Sequence, residues 1–205
     1  MAALARLCDS QFMELLVTDE ECKEEDVLYS AHYSAPLGSI MLVGDGAAIV
    51  GLWLEGQKYF AGTVAEEITE KPDLPLFAAI VQWLDLYFAG KKPAISGLPL
   101  APRGGTFRTA VWDILRGIPY GEVITYGDIA KEMAARMNKA KMSAQAVGGA
   151  VAHNPISIII PCHRVVGANG NLTGYAGGIS KKIRLLEHEG VDMSRLFVPA
   201  KGTAL

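Results

Sequence analysis

A cysteine and a histidine stand side by side at Cys162-His163, behind the apolar run Ile156-Ser157-Ile158-Ile159-Ile160-Pro161 and ahead of Arg164-Val165-Val166. A thiol is a poor nucleophile at its free pKa near ~8.5, and a neighbouring imidazole or cation raises the thiolate fraction. The pair is therefore a candidate for nucleophilic chemistry at sulfur. The run ISIII reads as a buried strand that carries both side chains at its end. Neighbouring residues on a regular strand point to opposite faces, so the two can cooperate only where Pro161 breaks the strand. A buried cysteine beside a hydrogen-bonded histidine is the bland alternative, and the bare dipeptide leaves that alternative the commoner one.

The elements that must position this pair are legible on both sides. TFRTAVWDILRG (106–117) has the period of an amphipathic helix, and GIPYG turns. Thr125 with Asp128 forms an N-cap pair opening a helix over YGDIAKEMAARM. After the basic turn NKAK, Ser143 can cap a second helix, AQAVGGAVAH. Two short helices joined by a short turn make the helix-turn-helix pattern, whose second helix reads DNA, although an ordinary helical hairpin is commoner. Gly148 and Gly149 inside that helix each cost roughly 1 kcal/mol relative to alanine. Close approach of another backbone, from a packed strand or from DNA, is the expected compensation.

Nearer the N-terminus, VLYSAHYS, SIMLV and AAIVGLWLE read as three strands separated by APLG and GDG turns, an antiparallel meander with one buried face. Phe77, Ile80, Leu84 and Phe88 recur at helical spacing over residues 75–89, and Gly90 suits the stop. Prolines and glycines without periodicity fill Pro93 to Gly105, as in a linker. The expected fold class is α+β. The expected organisation is an N-terminal extension over 1–26, a sheet-and-helix domain over 27–98, a helix-turn-helix domain over 104–192 that carries Cys162, and a tail over 193–205. Leu4, Leu7, Phe12, Leu15 and Leu16 give the extension a loose helical stripe, followed by the acidic run DEECKEED.

The 205-residue composition, half apolar and a fifth charged, fits a folded globular chain and excludes disordered, collagen-like and disulfide-scaffold classes. No apolar run reaches the ~18 residues of a membrane span, and the first residues lack a secretory pattern, so no membrane partner is expected. Three cysteines, Cys8, Cys22 and Cys162, are odd in number and far apart, which fits free thiols and a cytoplasmic location. The net charge of −3 conceals an asymmetry. Residues 1–100 hold 6 Lys+Arg against 15 Asp+Glu, a net of −9, whereas residues 101–205 hold 13 against 7, a net of +6. A basic half of this kind commonly meets an anion.

The motifs together resemble the O6-alkylguanine-DNA alkyltransferases, also called methylated-DNA–protein-cysteine methyltransferases. IPCHRVV resembles the family's active-site motif, preceded by AVGGAVAHNP and followed by GNLTGYAGG and a final HEG. FRTAVWDIL and YGEVITYGDIA also match, and APLGSIMLV with GLWLEGQKYF resembles the family's ribonuclease-H-like N-terminal domain. The resemblance covers roughly residues 27–190.

It implies DNA repair by direct reversal. Double-stranded DNA would be held through its minor groove by the helix-turn-helix, and the alkylated base would be flipped out at a cost of a few kcal/mol. The alkyl group on guanine O6, with O4-alkylthymine a second candidate substrate, would pass irreversibly to Cys162 in one turnover. By position, His163 would deprotonate Cys162 through a water and be oriented by Glu189, while Asn154 would hold the turn leading to the active-site segment. Tyr126 would lie beside the flipped nucleotide and supply a proton to the departing guanine. Tyr175, Val165, Ala176 and Gly177 would line the base pocket, and Ser143, Ala144, Gln145, Gly148 and Tyr126 would meet DNA. Arg164 is expected to pair internally, and His188 to be only a surface residue of the last helix. A monomer with no cofactor and no metal is expected, since Cys8 and Cys22 lack paired ligand spacing.

Three features depart from the family pattern. Gln145 stands where the family commonly has an arginine that fills the space of the flipped base, Ala176 where a serine is frequent, and NKAKMS lengthens the turn between the two helices. Alkyltransferase-like proteins, which bind the same lesions without the cysteine, are the nearest alternative, and Cys162 argues against them. A papain-type hydrolase lacks its signatures here, and a plain helix-turn-helix regulator leaves PCHRV unexplained.

Overall fold

The computed structural model describes residues 27–199; the N-terminal extension, with Cys8 and Cys22, and the last six residues lie outside the described residues. Three strands form as the alternation predicts: β1 (Leu28–Ala35), β2 (Gly38–Gly44) and β3 (Ile49–Leu54). β1 and β2 pair antiparallel through the tight Ala35↔Gly38 end, and β2 pairs antiparallel with β3. The meander is not the whole sheet. A short strand, β4 (Ile68–Glu70), adds in parallel to the far side of β1, giving the order β3-β2-β1-β4. Three residues are too few for a periodic signal.

The single buried face expected of this sheet also needs correction at β3, where all six residues are buried. Leu52 and Leu54 join the main core, while Val50 and Trp53 pack on the other face with Val43 and Leu28. The segment after β3 covers that second face, with Phe60 tilted against Trp53 at 6.1 Å.

Helix α1 (Pro75–Phe88) starts on its proline and buries Leu76, Phe77, Ile80, Trp83, Leu84 and Tyr87, a wider stripe than the four expected residues. The outer edge of β3 does not meet solvent. The amide of Ile49 donates to Pro99 O and that of Ala101 to Ile49 O, while Leu52 N donates to Pro155 O and Ser157 N to Leu52 O. The linker and the segment before Cys162 thus satisfy an edge that would otherwise carry unpaired groups. Gln57, buried after β3, accepts from Ser157 Oγ at 3.0 Å and ties the same two parts by side chain.

In the second half, α2 (Thr106–Arg116), α3 (Tyr126–Arg136) and α4 (Ala144–Ala152) pack on one another, and α5 (Ile179–His188) closes the site. The predicted caps are present. Thr125 Oγ1 accepts from Asp128 N at 3.1 Å, and Ser143 Oγ accepts from Gln145 N and Ala146 N. A parallel pair, β5 (Ile124–Thr125) with β6 (Val165–Val166), fastens the start of α3 to the residues just after His163-Arg164. Met193–Val198, expected as tail, includes a short 3₁₀ turn, and Phe197 bridges back to Asn171. No helix among the described residues is long and apolar enough to cross a membrane.

Candidate active site

The run ISIII is not a strand. Only Ile156 makes a bridge, to Leu52, and the chain then turns through Ile158 at φ 69°. Its apolarity reflects burial on every side, since Ile156, Ile158, Ile159 and Ile160 are all in the core. Pro161 leads into a single 3₁₀ turn, Cys162–Arg164. Successive residues there project about 120° apart, rather than to opposite faces as on a strand.

Asn154 holds this turn. Its Nδ2 donates to Ile160 O at 2.8 Å and Ile156 O at 3.3 Å, its Oδ1 accepts from Ile156 N, and Nδ2 also lies 3.1 Å from Cys162 Sγ. Burial pushes the Cys162 thiol up; the donated Asn154 hydrogen bond and the nearby Lys182 charge work in the opposite direction. A thiolate formed here has a donor already aimed at it.

His163 is fully buried, with Nε2 2.7 Å from Glu189 Oε1. Burial alone would raise the Glu189 carboxyl, but hydrogen bonds from His163 and Arg164 and the charges of both hold it far below the usual carboxylate range. An ionised carboxylate only accepts, so Nε2 carries the proton and Nδ1 keeps its lone pair. That Nδ1 is buried and has no hydrogen-bond partner among the described residues. Burial lowers the imidazole pKa against the opposing pull of Glu189, so the ring is neutral at pH 7. Arg164 pairs internally: Nε meets Glu189 Oε2 at 2.7 Å, Nη2 meets Oε1 at 2.9 Å, and Nη1 donates to Ile118 O.

Tyr126, the first residue of α3, donates its hydroxyl to Gly174 O at 2.7 Å. Burial, followed by the charge of Cys162, raises its pKa. A Cβ on Gly174 would sit 2.6 Å from that hydroxyl, and φ is +70° there, so glycine is required twice over. Tyr175 is 1 % exposed, and its hydroxyl has no hydrogen-bond partner among the described residues. Burial and then the charge of Cys162 raise it. Val165 is in the core, Ala176 O accepts from Lys58 N, and a Cβ on Gly177 would sit 2.5 Å from the Tyr175 ring and 3.2 Å from Leu54 Cδ1.

Two residues were missed by the sequence reading. Lys182 is buried on α5, donating Nζ to Val165 O at 2.5 Å and Thr173 O at 2.9 Å. Burial pulls its pKa down to about 8. In an amphipathic helix a lysine pair, Lys181-Lys182, reads as solvated; only the period of Leu185 and Leu186 could have placed Lys182 inward. Tyr87, on α1, donates its hydroxyl to Glu189 Oε1 at 2.7 Å. His188 corrects an expectation: its Nε2 lies 2.7 Å from Tyr87 O, joining α5 to α1, so it is not merely a surface residue.

Of the residues expected to meet DNA, Tyr126 belongs to this centre and Gly148 lies against its ring. Ser143, Ala144 and Gln145 are exposed at the start of α4, beside a cleft of roughly 1060 Å³ that also includes Lys131, Lys139 and Lys141. Gly148 faces the Tyr126 ring at ordinary contact distance and Gly149 faces open space. Among the described residues no strand comes within 4 Å of a Cβ built on either glycine, so a packed strand is not the compensation there.

A four-stranded sheet with a helix, joined at its edge to a helical half that holds a buried Cys-His-Glu cluster, defines a two-part α+β architecture. Residues 106–191 match the family described as 6-O-methylguanine DNA methyltransferase, DNA binding domain, and residues 28–102 match its ribonuclease-like domain. The methylated-DNA–protein-cysteine methyltransferase of Haemophilus influenzae is 40% identical over 162 residues, 79% of this chain and 86% of that one. The protein of the same name from Methanosarcina acetivorans is 42% identical over 168 residues, 80% and 99% respectively. Among solved structures, Mycobacterium tuberculosis OGT in complex with DNA superposes with a TM-score of 0.67 at 40% identity, covering 85% of this chain and 96% of that one. The chain belongs to the 6-O-methylguanine DNA methyltransferase family.

Proposed function

We propose that this chain repairs O6-alkylguanine in double-stranded DNA by moving the alkyl group irreversibly to Cys162, once per molecule. The observation that carries the reading is the contact of His163 Nε2 with Glu189, which leaves Nδ1 buried without a hydrogen-bond partner among the described residues. With Nε2–H committed to Glu189, the lone pair of Nδ1 is the ring's remaining base. Through one water it takes the thiol proton, and the Asn154 amide stabilises the sulfur anion. The thiolate attacks the alkyl carbon in line. A C–S bond forms, the C–O6 bond breaks, and its electron pair goes to the guanine, which Tyr126 protonates. The proton left on His163 and the one lost by Tyr126 equilibrate with solvent. A thioether has no good leaving group, so nothing regenerates the cysteine.

Base flipping follows from the chemistry, because O6 inside a stacked duplex is out of reach of a buried sulfur. The unpartnered Tyr175 hydroxyl, with Val165, Ala176 and Gly177, is assigned to the base. The start of α4, Ser143 to Gly148, is assigned to the minor groove, with Lys131, Lys139 and Lys141 near phosphates. A cytoplasmic monomer fits a reaction that needs only one chain and a free thiol.

Duplex carrying a labelled methyl group on guanine O6 tests the reading. Label should move to the unchanged protein and stay on the DNA with Cys162→Ala, while that variant binds duplex within a few-fold of the parent. Label reaching the Cys162→Ala protein would overturn the assignment.

A further inference from the structure

Glu189 Oε1 accepts from three groups: His163 Nε2 at 2.7 Å, Arg164 Nη2 at 2.9 Å and Tyr87 Oη at 2.7 Å. The first two come from the segment that carries Cys162. The third comes from α1, 102 positions away along the chain, in the ribonuclease-like part. We propose that Tyr87 is a positioning residue for methyl transfer: its hydroxyl donates to the carboxylate oxygen that holds His163 and so sets the basicity of the imidazole. The inference rests on the alkyltransfer reading above and extends it, placing part of the proton relay in the N-terminal half.

The geometry leaves the hydroxyl one role. Glu189 is ionised and can only accept, and burial followed by the Glu189 charge keeps the phenol protonated, so Tyr87 must donate. Charge-assisted hydrogen bonds of this length are strong, and each draws electron density from the acceptor. Less density on Oε1 means less stabilisation of a protonated His163, hence a weaker base. The position is also rigidly determined. The Tyr87 ring stacks on Trp83 at 5.4 Å and meets Phe88 and Tyr120 edge-on, and its backbone carbonyl binds His188 Nε2.

Several charged or titratable groups face the relay among the described residues, Tyr175 included, whose phenol is pushed up by burial and then by the charges of Cys162 and Glu189. Arg164 binds both oxygens of Glu189, and Lys182 acts on His163 by charge alone. Tyr120 lies edge-on to Tyr87 and hydrogen-bonds His188 O. Gly121 N reaches Oε2. Only Tyr87 and Arg164 share Oε1 with His163, and only Tyr87 does so without charge. Its hydroxyl can therefore be removed without leaving a buried ion unpaired.

The test is the pH dependence of the transfer rate for Tyr87→Phe, using free O6-benzylguanine so that DNA binding does not enter. Losing the hydroxyl leaves Glu189 Oε1 a stronger acceptor and raises the His163 pKa. The acid limb of the profile should then move up by about half to one pH unit. A fluorinated tyrosine at position 87, a stronger donor, should move it down. If Tyr87→Phe fails to fold, the fluorotyrosine protein decides the matter with the opposite sign. An acid limb that stays in place in the folded variant overturns the proposal, even if the plateau rate falls, because a purely structural contact would lower the rate uniformly. Failure of the unchanged protein to take the methyl group from methylated duplex would instead overturn the alkyltransfer reading itself.

Discussion

Replacing Arg164 by methionine should expose how much stability rests on the Glu189 cluster. Arg164 binds both oxygens of Glu189 from a position 5 % exposed, and the carboxylate itself is buried. Removing one partner of such a pair strands the other charge, at a cost of about 3–5 kcal/mol. For a chain of this size roughly 2–4 °C is lost per kcal/mol, so Tm should fall by something like 6–20 °C. Adding Glu189→Gln to Arg164→Met removes the stranded charge and should recover at least half of the loss. The pH dependence has a defined sign. Glu189 has a depressed folded pKa, so the stability it contributes is present above its unfolded value of about 4.3 and is lost as pH falls through that value towards the folded one. Without Arg164 the folded value rises and that contribution shrinks, so acid unfolding should begin at a higher pH. Thermal and acid unfolding followed by circular dichroism measure both effects. A loss under about 1 kcal/mol, or a double variant no more stable than Arg164→Met alone, would refute the reasoning.

Gln145→Ala should slow repair of methylated duplex while leaving the rate on free O6-benzylguanine intact, and Gln145→Arg should speed the duplex reaction, because a longer planar cation fills the vacated stack better; equal duplex rates for parent and Gln145→Ala would remove Gln145 from that role. Affinity for undamaged duplex should show little sequence preference and should fall between low and moderate salt, through counterion release from the basic C-terminal half; salt-independent binding would contradict it.

The helix-turn-helix was legible because its signals are local: Thr125 and Ser143 cap α3 and α4 through hydrogen bonds within three residues. Cys162, His163, Asn154 and Glu189 are singled out by the resemblance, and the fold puts Asn154 against Cys162 and Glu189 against His163. ISIII misled because a short apolar run records burial and not backbone shape; two flanking prolines and a left-handed Ile158 turn it. β4 is held by pairing with β1, a tertiary contact without sequence periodicity. Lys182 and Tyr87 escaped for a related reason. Each lies on an amphipathic helix where its type reads as solvent or core, and only the distant partner, Val165 O for one and Glu189 for the other, gives it a chemical role.

The most direct test of the central claim is peptide mass spectrometry after incubation with excess methylated duplex, combined with a count of methyl groups removed. The account predicts that removal stops at or below one methyl per chain, and that the peptide containing Cys162 gains the mass of one CH₂ group. Continued turnover, or an adduct on any other residue, would contradict it.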